Sequence, residues 1–215
     1  MPRSKADKDA GLLSLTSKSY VEEWVKEQFF GRKREFSNKY TIKGIEVEDK
    51  AIELYGDITN QKNLKKNEKQ FENDFCTGTP DLILDDSIVD IKSSWNLWTF
   101  GLFDTEIKEK AYWWQLQGYM WLTDKQKAQL SYCLVDTPDE LIEKEFNMQK
   151  WGVEEEEREA LLDKIVKDLN FGDIDKKYKT KIFDIERDDS AIEQIKERVV
   201  ACRKYQDELN LILNS

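Results

Sequence analysis

Gly78-Thr79-Pro80-Asp81-Leu82-Ile83-Leu84-Asp85-Asp86-Ser87-Ile88-Val89-Asp90-Ile91-Lys92-Ser93-Ser94-Trp95 is the most informative segment of the chain. It reads as two short strands joined by a turn. Leu82 to Leu84 is the first apolar run; Ile88 to Ile91 is the second, β-branched and extended. Asp85, Asp86 and Ser87 bond readily to their own backbone and make the turn. A strand repeats its side chains every two residues, so Asp90 and Lys92 share a face. Asp81 enters the first strand, and in a hairpin it lies beside Asp90. Two carboxylates and an ammonium then converge on one small volume.

Ionised carboxylates that close together repel, and one pKa rises. A divalent cation between them removes the cost, and hard oxygen ligands suit Mg²⁺. Such a cation binds a phosphate oxygen and lowers the pKa of a bound water. Lys92 beside it steadies the attacking water or the charge developing on phosphorus. The plainer alternative is an acidic surface hairpin with Lys92 in solvent.

Composition narrows the chemistry. The chain has 215 residues, enough for one sizeable domain, and 39% hydrophobic against 36% charged residues fits a globular protein. No apolar run reaches the length of a membrane span. Met1 to Lys8 lacks the apolar core of a secretory signal, so a cytoplasmic setting (a bacterial or phage-infected host cytosol) without membrane is expected. Cys76, Cys133 and Cys202 are widely spaced and expected to stay reduced. There is no histidine, which excludes Ser-His-Asp and Cys-His catalysis and His-ligated zinc. Hydrolysis here must use carboxylates, lysine and a metal. The net charge of −10 argues against tight sequence-independent adhesion to DNA, although Lys62, Lys65, Lys66 and Lys69 form a local basic cluster.

Upstream, a helix is expected over residues 42–55, ending at Gly56. Ile45, Glu48, Ile52 and Tyr55 then share one face. A glutamate at the edge of an apolar face needs a partner, and Gly44 would let the helix approach a neighbour closely. Residues 70–77 read as the first strand of the sheet. An aromatic loop, Trp95 to Phe103, follows the hairpin, either stacking on bases or tucked under the fold. A helix over about 108–123 carries Tyr112, Gln115 and Tyr119 on one face, with Gln117 beside them. It is long enough for a right-handed crossover to a strand at 128–136. Helices after Pro138 and from Glu154, a short strand at 181–187 and a final helix from Asp188 or Asp189 read as support elements.

Pro80-Asp81 followed by Asp90-Ile91-Lys92 resembles the signature of the PD-(D/E)XK nuclease superfamily. The upstream Gly44-x-x-x-Glu48-Asp49-x-Ala51 and the later Tyr112-x-x-Gln115-x-Gln117 are similar to its lambda-exonuclease-like, YqaJ-type viral recombinase branch. The resemblance covers roughly residues 40–136. It implies an α/β fold with a restriction-endonuclease-like core, a mixed four-stranded central sheet flanked by helices, and helical C-terminal additions. The whole chain would be one nuclease domain, residues 137–215 supporting the core.

The resemblance also implies a site. Glu48, Asp81, Asp90 and the carbonyl of Ile91 would hold one or two Mg²⁺ or Mn²⁺ ions. Lys92 would join the catalytic set, and Gln115, Gln117, Tyr112, Tyr119, Thr79 and Ser17 would meet substrate. The implied activity is a 5′-to-3′ exonuclease on double-stranded DNA with a free end, in phage-type recombination. A single-strand annealing protein and a homo-oligomer are the implied partners. The second acid is Asp90 where glutamate is commoner. No arginine stands where that branch holds a 5′-phosphate, so a structure- or site-specific endonuclease, or a catalytically inactive DNA-binding module, stays open.

Overall fold

The computed structural model describes residues 13–35 and 37–214. They group into two compact units: residues 13–35, 73–76 and 188–214 in one, and residues 37–72 and 77–187 in the other. No helix among the described residues is long and apolar enough to cross a membrane.

The smaller unit is a helix pair. Helix α1, Leu15–Phe30, is capped by the Ser14 hydroxyl and closed by Gly31 in the left-handed region at φ 62°. It packs against helix α7, Asp189–Leu213, capped by Asp188. Between them Tyr205 Oη donates to Glu22 at 2.6 Å, and the Lys18 ammonium lies 5.4 Å from the Tyr205 ring centre.

The larger unit holds the sheet. Its further elements are α2 (Lys39–Glu46), α3 (Glu48–Thr59), β1 (Phe71–Glu72), β2 (Thr77–Gly78), β3 (Leu82–Ile83) and β4 (Ser87–Ser93). There follow α4 (Lys110–Thr123), β5 (Lys127–Cys133), α5 (Asp139–Gln149), α6 (Arg158–Leu169) and β6 (Thr180–Glu186). The four-stranded sheet has the order β3-β4-β5-β6. β3 and β4 form an antiparallel hairpin, α4 crosses over to place β5 parallel to β4, and β6 returns antiparallel. The architecture is the expected α/β one.

The period of two on β4 divides the core. Val89 and Ile91 pack with Ala51, Leu54 and Tyr55 of α3. Ile88 packs on the other face with Leu116 and Met120 of α4. Asp90 and Lys92 keep Ile88's parity and so look toward α4.

Three expectations are corrected. Residues 70–77 are not a strand of the central sheet; β1 and β2 pair only with each other, and the fourth strand is β6. The unpaired edge of β5 needs a partner, and residues 180–186 supply a seven-residue one. The helix expected over 42–55 is two helices, because Val47 leaves helical geometry at φ −106°, ψ 7°. The buried ladder therefore runs Lys43, Val47, Ala51, Tyr55 rather than through Ile45, which is 75% exposed. Gly44 approaches nothing: a Cβ there would meet no atom within 4 Å.

Candidate active site

Hairpin register builds the site. Leu82 pairs with Val89 and Ile83 with Ile88, which sets Asp81 opposite Asp90 one step on. Oδ2 of Asp81 accepts from the Ile91 N–H at 2.6 Å, fixing its carboxylate against β4. Asp90 is 2% exposed, with Oδ2 2.6 Å from Nζ of Lys92. Apart from that ammonium, this buried oxygen has no hydrogen-bond partner. Lys92 Nζ also lies 4.9 Å from the centre of the Tyr112 ring.

Electrostatics follow from the crowding. Burial, then the charge of Asp90, push the Asp81 carboxyl up to about 6. Burial raises Asp90 too, with Lys92 acting against it. Burial pulls Lys92 down, but attraction and hydrogen bonding to Asp90 outweigh it and its pKa is raised. The site thus holds a carboxylate pair short of positive charge and an ammonium kept protonated.

Glu48 opens α3, where the helix dipole favours a carboxylate. Its charge raises both Asp81 and Asp90, so it belongs to the same electrostatic cluster. Its Oε2, however, lies 2.7 Å from Lys66 Nζ. Among the described residues, no three acidic, cysteine or histidine side chains stand close enough to enclose a metal ion. A three-carboxylate cage is therefore not preformed. The donors still fit a hard cation: two opposed aspartates, one with a buried oxygen that has only the Lys92 ammonium against it, and a glutamate paired with a lysine.

No protein-family model and no curated protein matches the chain. Among solved structures it is similar to the phage-related exonuclease from Haemophilus somnus 129PT. That likeness has 37% sequence identity, covers 99% of this chain and 90% of the other, and has a TM-score of 0.80. The chain belongs to the phage-related exonuclease family. An alkaline exonuclease, LHK-Exo from Laribacter hongkongensis, shares the fold at 18% identity and a TM-score of 0.61, covering 94% of this chain and 84% of that one. LHK-Exo in complex with dAMP aligns equally well, at 19% identity and a TM-score of 0.61, covering 93% and 84%.

The other expected residues separate. Gln115 Nε2 donates to Tyr119 Oη at 2.8 Å, and the charges of Asp90, Lys92 and Asp81 all act on that phenol. Gly78 is required beneath Tyr119, since a Cβ there would sit 2.3 Å from its ring. Tyr112 faces Lys92, and Thr79 is exposed next to Pro80. Gln117 is fully buried and donates to the Glu186 carbonyl at 2.9 Å, so its place is in the core rather than at a substrate surface. Ser17 bonds Ser14 at the start of α1, in the smaller unit. The aromatic loop divides: Trp95 and Phe100 are buried, whereas Trp98 and Phe103 are exposed.

Two lysines escaped the reading from sequence. Lys66 was visible only as one of several clustered lysines. Lys43 is fully buried, and its Nζ donates to the carbonyls of Ser94 at 2.8 Å and Trp95 at 3.0 Å, where the chain leaves β4. The available signal was its spacing of four from Val47 and eight from Ala51.

Proposed function

We propose that the protein is a metal-dependent DNA exonuclease of the PD-(D/E)XK type, digesting duplex DNA from a free end with 5′-to-3′ polarity in phage-type recombination. The observation that carries this reading is the opposition of Asp81 and Asp90 with Lys92 ion-paired beside them at 2.6 Å. The family-level likeness at 37% identity supports the exonuclease assignment.

Asp81, Asp90 and the Ile91 carbonyl would hold one or two Mg²⁺ or Mn²⁺ ions, with Glu48 joining once it leaves Lys66. Bound there, the ion supplies a water of lowered pKa and a Lewis acid for the phosphoryl oxygen. The chain's own groups do the rest. Asp90 keeps Lys92 protonated, and Lys92 presents that charge where the pentacoordinate phosphorus gathers negative charge. The Ile91 N–H holds the Asp81 carboxylate in one orientation. The Gln115–Tyr119 pair offers polar contacts to the sugar-phosphate next to the scissile bond. A single-strand annealing protein and a homo-oligomer complete the proposal.

The test is topological. With Mg²⁺, linear duplex DNA is degraded while covalently closed circles survive, and a 5′-terminal label appears first as mononucleotide. Rapid cutting of closed circles would replace this reading with an endonuclease.

A further inference from the structure

Lys66 is a second ammonium at the acidic site, and the chemistry above assigns it nothing. Its Nζ lies 2.7 Å from Glu48 Oε2. Its backbone is clamped from both sides. The Asn67 N–H donates to the Asp81 carbonyl at 2.8 Å, and Asn67 Nδ2 donates to the Pro80 carbonyl at 2.9 Å. On the other side, Leu64 packs into the core cluster beneath α3 and against Gly56. Lys66 is therefore delivered to the Pro80-Asp81 strand by fixed neighbours. Its bond to Glu48 raises its proton affinity, burial opposes this slightly, and the charges of Glu48, Asp81 and Asp49 add to the rise.

The charge balance suggests why it is there. Glu48, Asp81 and Asp90 would otherwise face Lys92 alone. With Lys66 present the cluster is close to neutral, so a divalent cation makes it positive and competes for the same Glu48 oxygens. The Lys66 side chain is 44% exposed and that of Glu48 19%. An ion pair this open to water is weak and exchanges readily. A backbone phosphate of the substrate is the anion at hand for the displaced ammonium.

We infer that Lys66 is an exchangeable counter-ion of the active site: it neutralises Glu48 before a cation binds, and passes to a DNA backbone phosphate when Glu48 turns to the cation. This rests on the metal-dependent reading above. It assigns Lys66 as a positioning and substrate-binding residue rather than a catalytic one.

The test reads two quantities that move in opposite directions. Mn²⁺ affinity is measured by calorimetry without DNA. Duplex affinity is measured against salt concentration with Ca²⁺, under conditions checked to give no cleavage. Lys66→Gln binds Mn²⁺ about three- to fivefold tighter than wild type, because a weak competitor for Glu48 is gone. The same variant binds DNA more weakly, and its slope of log K against log salt falls by about 0.9, one phosphate contact. Lys66→Arg keeps both wild-type values. In a Glu48→Gln background, Lys66→Gln no longer changes Mn²⁺ affinity. Lys66 is exposed, so its variants fold. Unchanged or weaker Mn²⁺ binding by Lys66→Gln, or an unaltered salt slope, overturns the inference. Failure of the wild-type protein to bind Mn²⁺ at all would instead overturn the reading of the site, and the inference with it.

Discussion

Lys92 and Lys43 are both withdrawn from water beside β4, but they are held in opposite ways. Lys92 has a carboxylate against it, and attraction to Asp90 outweighs the cost of burial. Lys43 has two backbone carbonyls, and burial lowers its pKa to about 7, opposed by the charge of Asp136. A neutral amine still has two N–H donors, so Lys43 makes both bonds in either protonation state. Lys92 is useful only as a cation. The difference separates a group placed for chemistry from one placed for architecture: the first sits beside carboxylates that repel each other, the second between two backbone carbonyls that it satisfies.

The largest expected effect breaks the Lys92 side of the comparison. Lys92→Ala lowers Mg²⁺-dependent degradation of linear duplex DNA by about 10²–10³-fold, with circular dichroism and melting temperature close to wild type. Activity surviving undiminished would remove Lys92 from the chemistry.

On the other side, Lys43→Met strips the donor from the Ser94 and Trp95 carbonyls while nearly keeping volume. It costs about 2–4 kcal/mol in denaturant unfolding, with activity per folded molecule within a few-fold of wild type. The two proteins also differ in pH dependence. The folded pKa of Lys43, about 7, lies below the ordinary lysine value of 10.5, so the unfolded chain binds more protons between those values. The wild type therefore gains stability from this group as pH rises from about 7 toward 10.5, and has no such slope below pH 7. Subtracting the Lys43→Met profile isolates that rise, and a flat difference would refute the assignment.

The smallest effect sharpens the contrast within the acidic cluster. Asp81 has a folded pKa of about 6 against 3.8 unfolded, so its charge destabilises the metal-free fold at neutral pH. Asp81→Asn can still accept from the Ile91 N–H. It raises metal-free stability at pH 8 by about 1–2 kcal/mol while losing activity. The gain shrinks as pH falls from 6 and is gone below the unfolded value. A destabilised Asp81→Asn in chelator would show that the pair does not repel.

Nearby residues carried what could be read in advance. Asp81, Asp90 and Lys92 were legible because a hairpin turn and a period of two place side chains within one local element. Residues 70–77 do not join the central sheet and residues 181–187, which read as a strand from the sequence, do, because strand partners are chosen by edges that become available only after the sheet assembles. Gln117 lies on the same short helical motif as Gln115, yet helix rotation sends one to Tyr119 and the other to the Glu186 carbonyl. Glu48 reads from the sequence as a polar residue needing a partner, and the fold sets Lys66 against it.

The hairpin, its acids and its lysine follow from local spacing alone, and the lack of histidine, plain in the composition, leaves carboxylates and lysine to do any hydrolytic work. Folding across the chain set the partners of the other two lysines: Glu48 for Lys66, and the Ser94 and Trp95 carbonyls for Lys43. Covalent spacing dictates the direction of a side chain within a strand or helix. The partner of a charge depends on distances across the fold, and those exist only once separate elements have packed.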